Sequence, residues 1–385
     1  PEWAAREAGG DDGGVEPAPP ITAAGGLLDM TATLLGHPNL ASKAWIVRQY
    51  DHEVQGGSVV KPFVGPNAGP GDAAVIRPVP DRPRGLAIGH GLATGLARDP
   101  YVMGLAAIDE CVRNMVCVGA DPDRIAILDN FCWPGCDDPR NLGSLVRAAE
   151  ACLDGGLAYR TPFVSGKDSL NNQFTTEDGR TIRIPPTLLI SGMGIVPEER
   201  LATTMDAKRP GARLLAIGAT TSRLGGSHYL RVGGDPTAGV DELPEVDLEI
   251  GPRIARIVHD AIRRGLVRSA HDASEGGLLP AAIEMAFAGG LGLELDLDAV
   301  PVAGGFVSPV ARAFSEDPSR YLLEVDEAEL AAVERLLVGI PHGVVGTFVE
   351  AGPDGGRISI RAGDLGSASK TASRFEKAWK RGCDR

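Results

Sequence analysis

The chain has 385 residues, 43% of them hydrophobic, and a formal net charge of −13. That length can bury two ordinary cores. The acidic balance, with no basic block or stripe, argues against a nucleic-acid or anionic-membrane surface, and no apolar run approaches the roughly 20 residues that span a bilayer. Six scattered cysteines suit reduced thiols in a cytosolic protein. No signal peptide opens the chain, and its first residue is Pro1 rather than Met, as expected of a chain processed or cut from a longer polypeptide.

Residues 1–26 are rich in Gly, Pro, Ala and acids and lack a periodic apolar face, so a linker or disordered tail is expected there. The stretch 27–50 predicts two short helices broken at His37-Pro38, the second turning Trp45, Ile46 and Val47 inward. Three apolar strands follow at 59–64, 73–79 and 86–89, each bounded by Gly or Pro. Pro100 suits a first helical turn, and apolar residues recur at Met103, Ala107, Cys111 and Met115, which predicts a helix over 100–118. The segment 124–128 reads as a buried strand delivering Asp129 and Asn130 at its end. A helix over 142–155, a short strand over 162–164, a turn over 165–169 and a strand over 184–195 complete one α/β domain, 27–200.

A second domain, 201–385, opens with a strand at 213–218 followed by TTSRLGGSHYL. Then come a helix over 251–264, a strand over 267–270, a turn over 271–277, a helix over 278–288 and a strand over 291–297. Strands at 321–325, 343–349 and 357–360 alternate with a helix over 327–337, and the residues from Lys370 read as a surface helix.

Four blocks carry chemistry. Asp72 sits in a Gly-Pro-Gly-Asp turn opening an apolar strand; it is either a plain strand-opening turn residue or an exposed Mg²⁺ ligand on a turn whose glycine lets the backbone approach a ligand closely. Glu110 and Asn114 lie four apart on the 100–118 helix, so they share a face and offer two oxygens to one hard cation. In AHDASEGGL, Asp272 or Ser274 can cap the following helix, and the same turn presents N–H groups to an anion. Ser165-Gly166-Lys167-Asp168-Ser169 lacks P-loop spacing, which excludes a Walker-type NTPase. Lys167 can pair with Asp168, but clustered with Asp129 from the neighbouring strand it better fits a phosphate contact. Cys132 and Cys136 are at most half a zinc site, and no Ser-His-Asp order, HExxH motif, Rossmann fingerprint or cysteine elbow is present. His52 is the lone histidine most worth locating.

Read in order, ASKAWIVRQYDHEVQGG, GDAAVIRP, DPYVMGLAAIDECVRNMVCVGADP, ILDNF, TPFVSGKDSLNN, LGGSHYL and HDASEGGLLPAAIEMAFAG resemble the C-terminal half of the formylglycinamide ribonucleotide amidotransferase family, also called phosphoribosylformylglycinamidine synthase. The resemblance runs from about Leu27 to the C-terminus. It implies an aminoimidazole ribonucleotide synthetase-like N-terminal, barrel-forming domain followed by its C-terminal α/β domain, in a cytoplasmic purine-biosynthesis ligase. It implies Mg²⁺ ligands at Asp72, Glu110, Asn114 and Asp272, with Ser274 on the nucleotide of an auxiliary site. Asp129 and Gly166 would reach across to ATP in the catalytic site, and Ser169 would touch substrate. Lys167 stands where smaller members of the family place a metal-binding Asn; a charged lysine cannot ligate metal, so phosphate contact is expected. The cofactors implied are ATP and Mg²⁺. The partners implied are an N-terminal synthetase half that holds the family's catalytic histidine, a glutaminase supplying ammonia, and formylglycinamide ribonucleotide. Thiamine-monophosphate kinase and the hydrogenase-maturation dehydratase share a GDAAV-like block but lack the DNF, GKDS and HDAS combination. A noncatalytic nucleotide-binding scaffold is the rival of a different class, and it predicts bound nucleotide without turnover.

Overall fold

The structure is a computed structural model that describes residues 17–353 and 355–382. Residues 1–16 of the expected tail, and Cys383, lie outside the described residues. In chain order come α1 (Ala24–Leu35), α2 (Ala44–Val47), β1 (Ser58–Val60), β2 (Phe63–Val64), β3 (Gly69–Pro70), β4 (Ala74–Ile76) and β5 (Gly85–Gly91). Then follow α3 (Pro100–Cys117), β6 (Ile125–Cys132), α4 (Pro139–Tyr159), β7 (Phe163–Ser169), β8 (Gln173–Thr175), β9 (Thr181–Arg183) and β10 (Thr187–Val196). Six of these strands form one open sheet in the order β1-β4-β5-β10-β6-β7, while β2-β3 and β8-β9 are separate ladders. Within the sheet only β6 and β7 run parallel, and a parallel neighbour needs a crossover, which α4 supplies.

Both long helices begin on the same device. Asp99 accepts from the N–H groups of Tyr101 and Val102 ahead of Pro100, and Asp138 accepts from that of Arg140 ahead of Pro139. Helix α3 lies almost wholly buried on β5 and β10. It approaches so closely that a Cβ on Gly91 would stand 2.0 Å from the Ala107 carbonyl oxygen.

The second sheet takes β11 (Arg213–Ile217), β12 (Ser269–Asp272), β13 (Gly292–Asp296), β14 (Tyr321–Val325), β15 (His342–Val349), β16 (Arg357–Arg361) and β17 (Ser367–Thr371). Their order is β12-β14-β11-β15-β13-β16-β17. Five helices accompany it: α5 (His228–Arg231), α6 (Ile250–Arg263), α7 (Leu278–Gly289), α8 (Pro309–Phe314) and α9 (Glu327–Leu336); α10 (Ala372–Arg381) closes the described chain. The α/β class read from the sequence is the class the structure holds.

Several local readings are corrected. Residues 165–169 are strand rather than turn, because β7 pairs with β6 through Ser169, and Asp129 and Asn130 lie inside β6 rather than at its end. His271 and Asp272 end β12 instead of opening a turn. Neither Asp272 nor Ser274 caps α7: the cap position is Gly277, at φ 86°, with no side-chain bond. Trp45 and Ile46 face outward, 58% and 47% exposed, and of the three only Val47 is half-buried, because α2 is a single turn that lays just one side against the rest of the protein. Helix α1 starts at Ala24, inside the expected linker, and packs against α10, β17 and α7 rather than on the first sheet. The C-terminal helix likewise buries Phe375 and Trp379.

Candidate functional site

The loop between β3 and β4 carries Asp72 to the end of β12, so the two sheets meet at a carboxylate. The Asp72 side chain is fully buried. Its Oδ1 lies 2.7 Å from His271 Nδ1 and accepts the Asp272 backbone N–H at 3.1 Å. Its Oδ2 is buried with no hydrogen-bond partner. His271 is gripped on the other side as well, Nε2 standing 3.2 Å from Glu284 Oε2. Burial opposes a charge on this ring, but Asp72 and Glu284 outweigh it and hold its pKa well above the ordinary value.

Helix α3 supplies the rest of the charge. Glu110 Oε2 accepts the Leu92 N–H at 2.9 Å, and Asn114 Nδ2 donates to the His90 carbonyl at 2.9 Å, so both are tied to the end of β5. Burial, then the charges of Glu275 and Asp272, push the Glu110 carboxyl well above the usual range. Asp272 is pushed up to about 6, by burial first, with Arg113 pulling the other way. Arg113 bridges the sheets: its guanidinium reaches Asp109 Oδ2 at 2.6 Å and Asp272 Oδ2 at 3.4 Å. Asp109 in turn accepts from Tyr159 Oη and from the Ser319 N–H at 2.9 Å and Oγ at 2.6 Å.

A cavity of about 730 Å³ opens beside these groups. Asp72, Glu110, Arg113, Ser274 and Glu275 line it at one end, and Leu40, Val47, Phe63 and Trp379 add apolar wall. Asp272 and Asn114 are buried without reaching its surface, although their partners Arg113 and His90 do. The N–H groups expected to greet an anion are partly engaged. Gly276 donates to Glu316 Oε1 at 2.7 Å and Gly277 to the Ser274 carbonyl at 3.0 Å.

The remaining expected residues sit elsewhere, on the β7 edge of the first sheet. Asp129 pairs with Gly166, Asn130 with Lys167 and Cys132 with Ser169. A Cβ on Gly166 would meet Asp129 Oδ1 at 2.6 Å, so the missing side chain is what leaves room for that carboxylate. Burial and Asp168 raise the Asp129 pKa. Lys167 is exposed and its Nζ donates to Ser169 Oγ rather than pairing with Asp168. His52 is exposed and lies off the cavity. The structure therefore separates the sequence-read residues into two places, the cavity and the β7 edge.

Asp72 and Asp272 bring carboxylate oxygens within 4.8 Å of each other and of a ring nitrogen of His271. An orphaned buried carboxylate oxygen beside two acids with raised pKa values fits a hard divalent cation, which would relieve both the desolvation and the repulsion. Sequence reasoning missed Arg113, His271, Glu275 and Glu284. His271 carried a signal, adjacency to Asp272 in HDASEGG; Glu284, a full helical turn and a half into α7, carried none.

The family described as AIR synthase related protein matches twice, its N-terminal domain over residues 70–196 and its C-terminal domain over residues 209–358. The phosphoribosylformylglycinamidine synthase subunit PurL of Deinococcus radiodurans is 36% identical over 324 residues, covering 83% of this chain and 41% of that protein. The chain thus spans less than half the length of this relative. Among solved structures, T. maritima PurL complexed with FGAR superposes with a TM-score of 0.67 at 17% identity, over 91% of this chain and 53% of that one. Hydrogenase maturation protein HypE in complex with ATP superposes at 0.55 with 16% identity, over 78% of this chain and 89% of that one. At such identities the superpositions bear on fold alone.

Proposed function

The chain belongs to the AIR synthase related protein family, whose two domains it carries in tandem, and from that premise we propose that it is the C-terminal half of a phosphoribosylformylglycinamidine synthase. The reaction is that of an ATP-dependent carbon–nitrogen ligase. Formylglycinamide ribonucleotide, ammonia drawn from glutamine and ATP become formylglycinamidine ribonucleotide, ADP and phosphate, in purine biosynthesis in the cytoplasm.

The observation that carries this reading is Asp72 Oδ2, buried and unpartnered beside a cavity large enough for a nucleotide. Asp72, Glu110, Asn114 and Asp272 are the residues that would hold Mg²⁺, with Ser274 on the nucleotide. When bound there, the ion supplies positive charge against the phosphates. Arg113 keeps Asp272 aimed, and the Leu92 N–H keeps Glu110 aimed. The β7 edge, with Asp129, Gly166, Lys167 and Ser169, would complete the ATP and substrate site together with the N-terminal half, and a glutaminase would deliver the ammonia. Ile88 and Met193 stand opposite each other across β5 and β10, 43% and 51% exposed, and Ile88 also lines the cavity.

The test is mass spectrometry of nucleotide released on denaturation of the purified chain, beside Asp72→Ala and Asp272→Ala. Stoichiometric ADP or ATP in the wild type, lost in both variants, is expected; a folded chain with neither bound nucleotide nor affinity for one sinks the assignment. Turnover of formylglycinamide ribonucleotide with ammonia by this chain alone would contradict the half-synthetase part.

A further inference from the structure

We infer that His271 is a positioning residue that sets which oxygen of Asp72 is offered to the cation, without itself being a ligand. This rests on the Mg²⁺-nucleotide reading of the cavity. Asp72 has two chemically equivalent oxygens, yet the structure treats them differently. Oδ1 is claimed twice, by His271 Nδ1 at 2.7 Å and by the Asp272 N–H at 3.1 Å, whereas Oδ2 has no partner at all.

A carboxylate on a glycine-flanked turn would otherwise rotate about its side-chain torsions. Two donors on one oxygen hold that rotation and leave the other oxygen as a preformed single-point ligand. The same geometry withholds His271 from the metal. Nδ1 faces Asp72 and Nε2 faces Glu284 Oε2 at 3.2 Å, so neither ring nitrogen has a lone pair directed into the site. Glu284 comes from α7 and Asp72 from the first sheet's loop, so the imidazole also spans the seam between the two sheets.

The arrangement predicts a split between two substitutions. Asn places its amide nitrogen near the position of Nδ1 and can still donate to Asp72; Gln reaches toward the position of Nε2 and Glu284 instead. With Mn²⁺ and ADP as probes and binding read by titration, His271→Asn stays within about threefold of the wild type, while His271→Gln loses roughly 10- to 100-fold in affinity. In pulsed electron paramagnetic resonance of Mn²⁺·ADP bound to wild-type protein with ¹⁵N-labelled histidine, no ¹⁵N coupling appears.

Equal losses in the two variants overturn the inference, and so does a ¹⁵N coupling, which would make His271 a ligand. The spectrum uses the wild type, so it decides whether His271 is a ligand even if a variant fails to fold, and the affinity split decides its hold on Asp72. Absence of Mn²⁺·ADP binding by folded wild type overturns the site reading itself, and the inference with it. Binding by the wild type with no split between variants overturns the inference alone.

Discussion

His228 shows how a residue that reads as an anonymous part of LGGSHYL becomes a charged contact. Its ring nitrogen Nδ1 lies 3.1 Å from Glu316 Oε1, and its backbone N–H donates to the same oxygen at 2.8 Å. Burial lowers the pKa of this imidazole and Arg231 lowers it further, but Glu316 and then Glu275 prevail and raise it above 6.5. A raised folded pKa adds stability that is fully present below the unfolded value and disappears as pH climbs through the folded one. Urea unfolding should therefore find His228→Gln less stable than the wild type by about 1–2 kcal/mol near pH 5.5, with the gap narrowing above neutrality. A gap that stays constant to about pH 9 would show that the pair contributes no charge-dependent stability. At this scale the sequence offers residue types that can ligate a hard cation, because Asp, Glu and Asn announce their chemistry by type. It could not show their neighbours, since Glu316 and His228 are 88 residues apart.

Among the elements, the long helices were legible, the short α5 and α8 were not, and neither were the surroundings of any of them. The 3.6-residue period placed α3 and α4 within a few residues at each end, with Pro100 marking the first turn of α3, while the start of α4 at Pro139 went unread. Period alone says that a helix has an apolar face, never what covers it. Helix α10 is the case in point. Its Trp379 is 2% exposed, sits edge-on to Phe63 at 6.3 Å between ring centroids, and donates from Nε1 to the Leu40 carbonyl at 3.0 Å. Trp379→Ala should cost about 3–5 kcal/mol in urea unfolding, as for other large aromatic deletions from a core. A cost below about 1 kcal/mol would mean that the helix is the surface element its sequence suggested. Strand β7 failed for a related reason: Ser-Gly-Lys-Asp-Ser has the composition of a turn, and it is strand because β6 offers a ladder.

For the whole molecule, the decisive contact is the chain from Ser319 through Asp109 and Arg113 to Asp272, which joins α3 to the start of β14 and the end of β12 in the second sheet. Burial lowers the pKa of this guanidinium, but Asp109, Asp272 and Glu110 outweigh it and keep it charged. Removing one member of a buried pair leaves a charge without compensation, so Arg113→Met should destabilise the protein by about 3–5 kcal/mol. A change under about 1 kcal/mol in urea unfolding would show that the sheets hold together without it. The sequence by itself determined the α/β class, the helices of the first unit and the residue types able to bind a divalent cation, because propensity, period and side-chain chemistry are local properties. Only the tertiary structure decided that Asp72 meets His271 and Asp272 across 199 and 200 residues, that one of its oxygens is left free, and that the β7 edge lies apart from the cavity. Those outcomes depend on how two sheets pack, and packing is a property of the assembled surfaces rather than of any one segment.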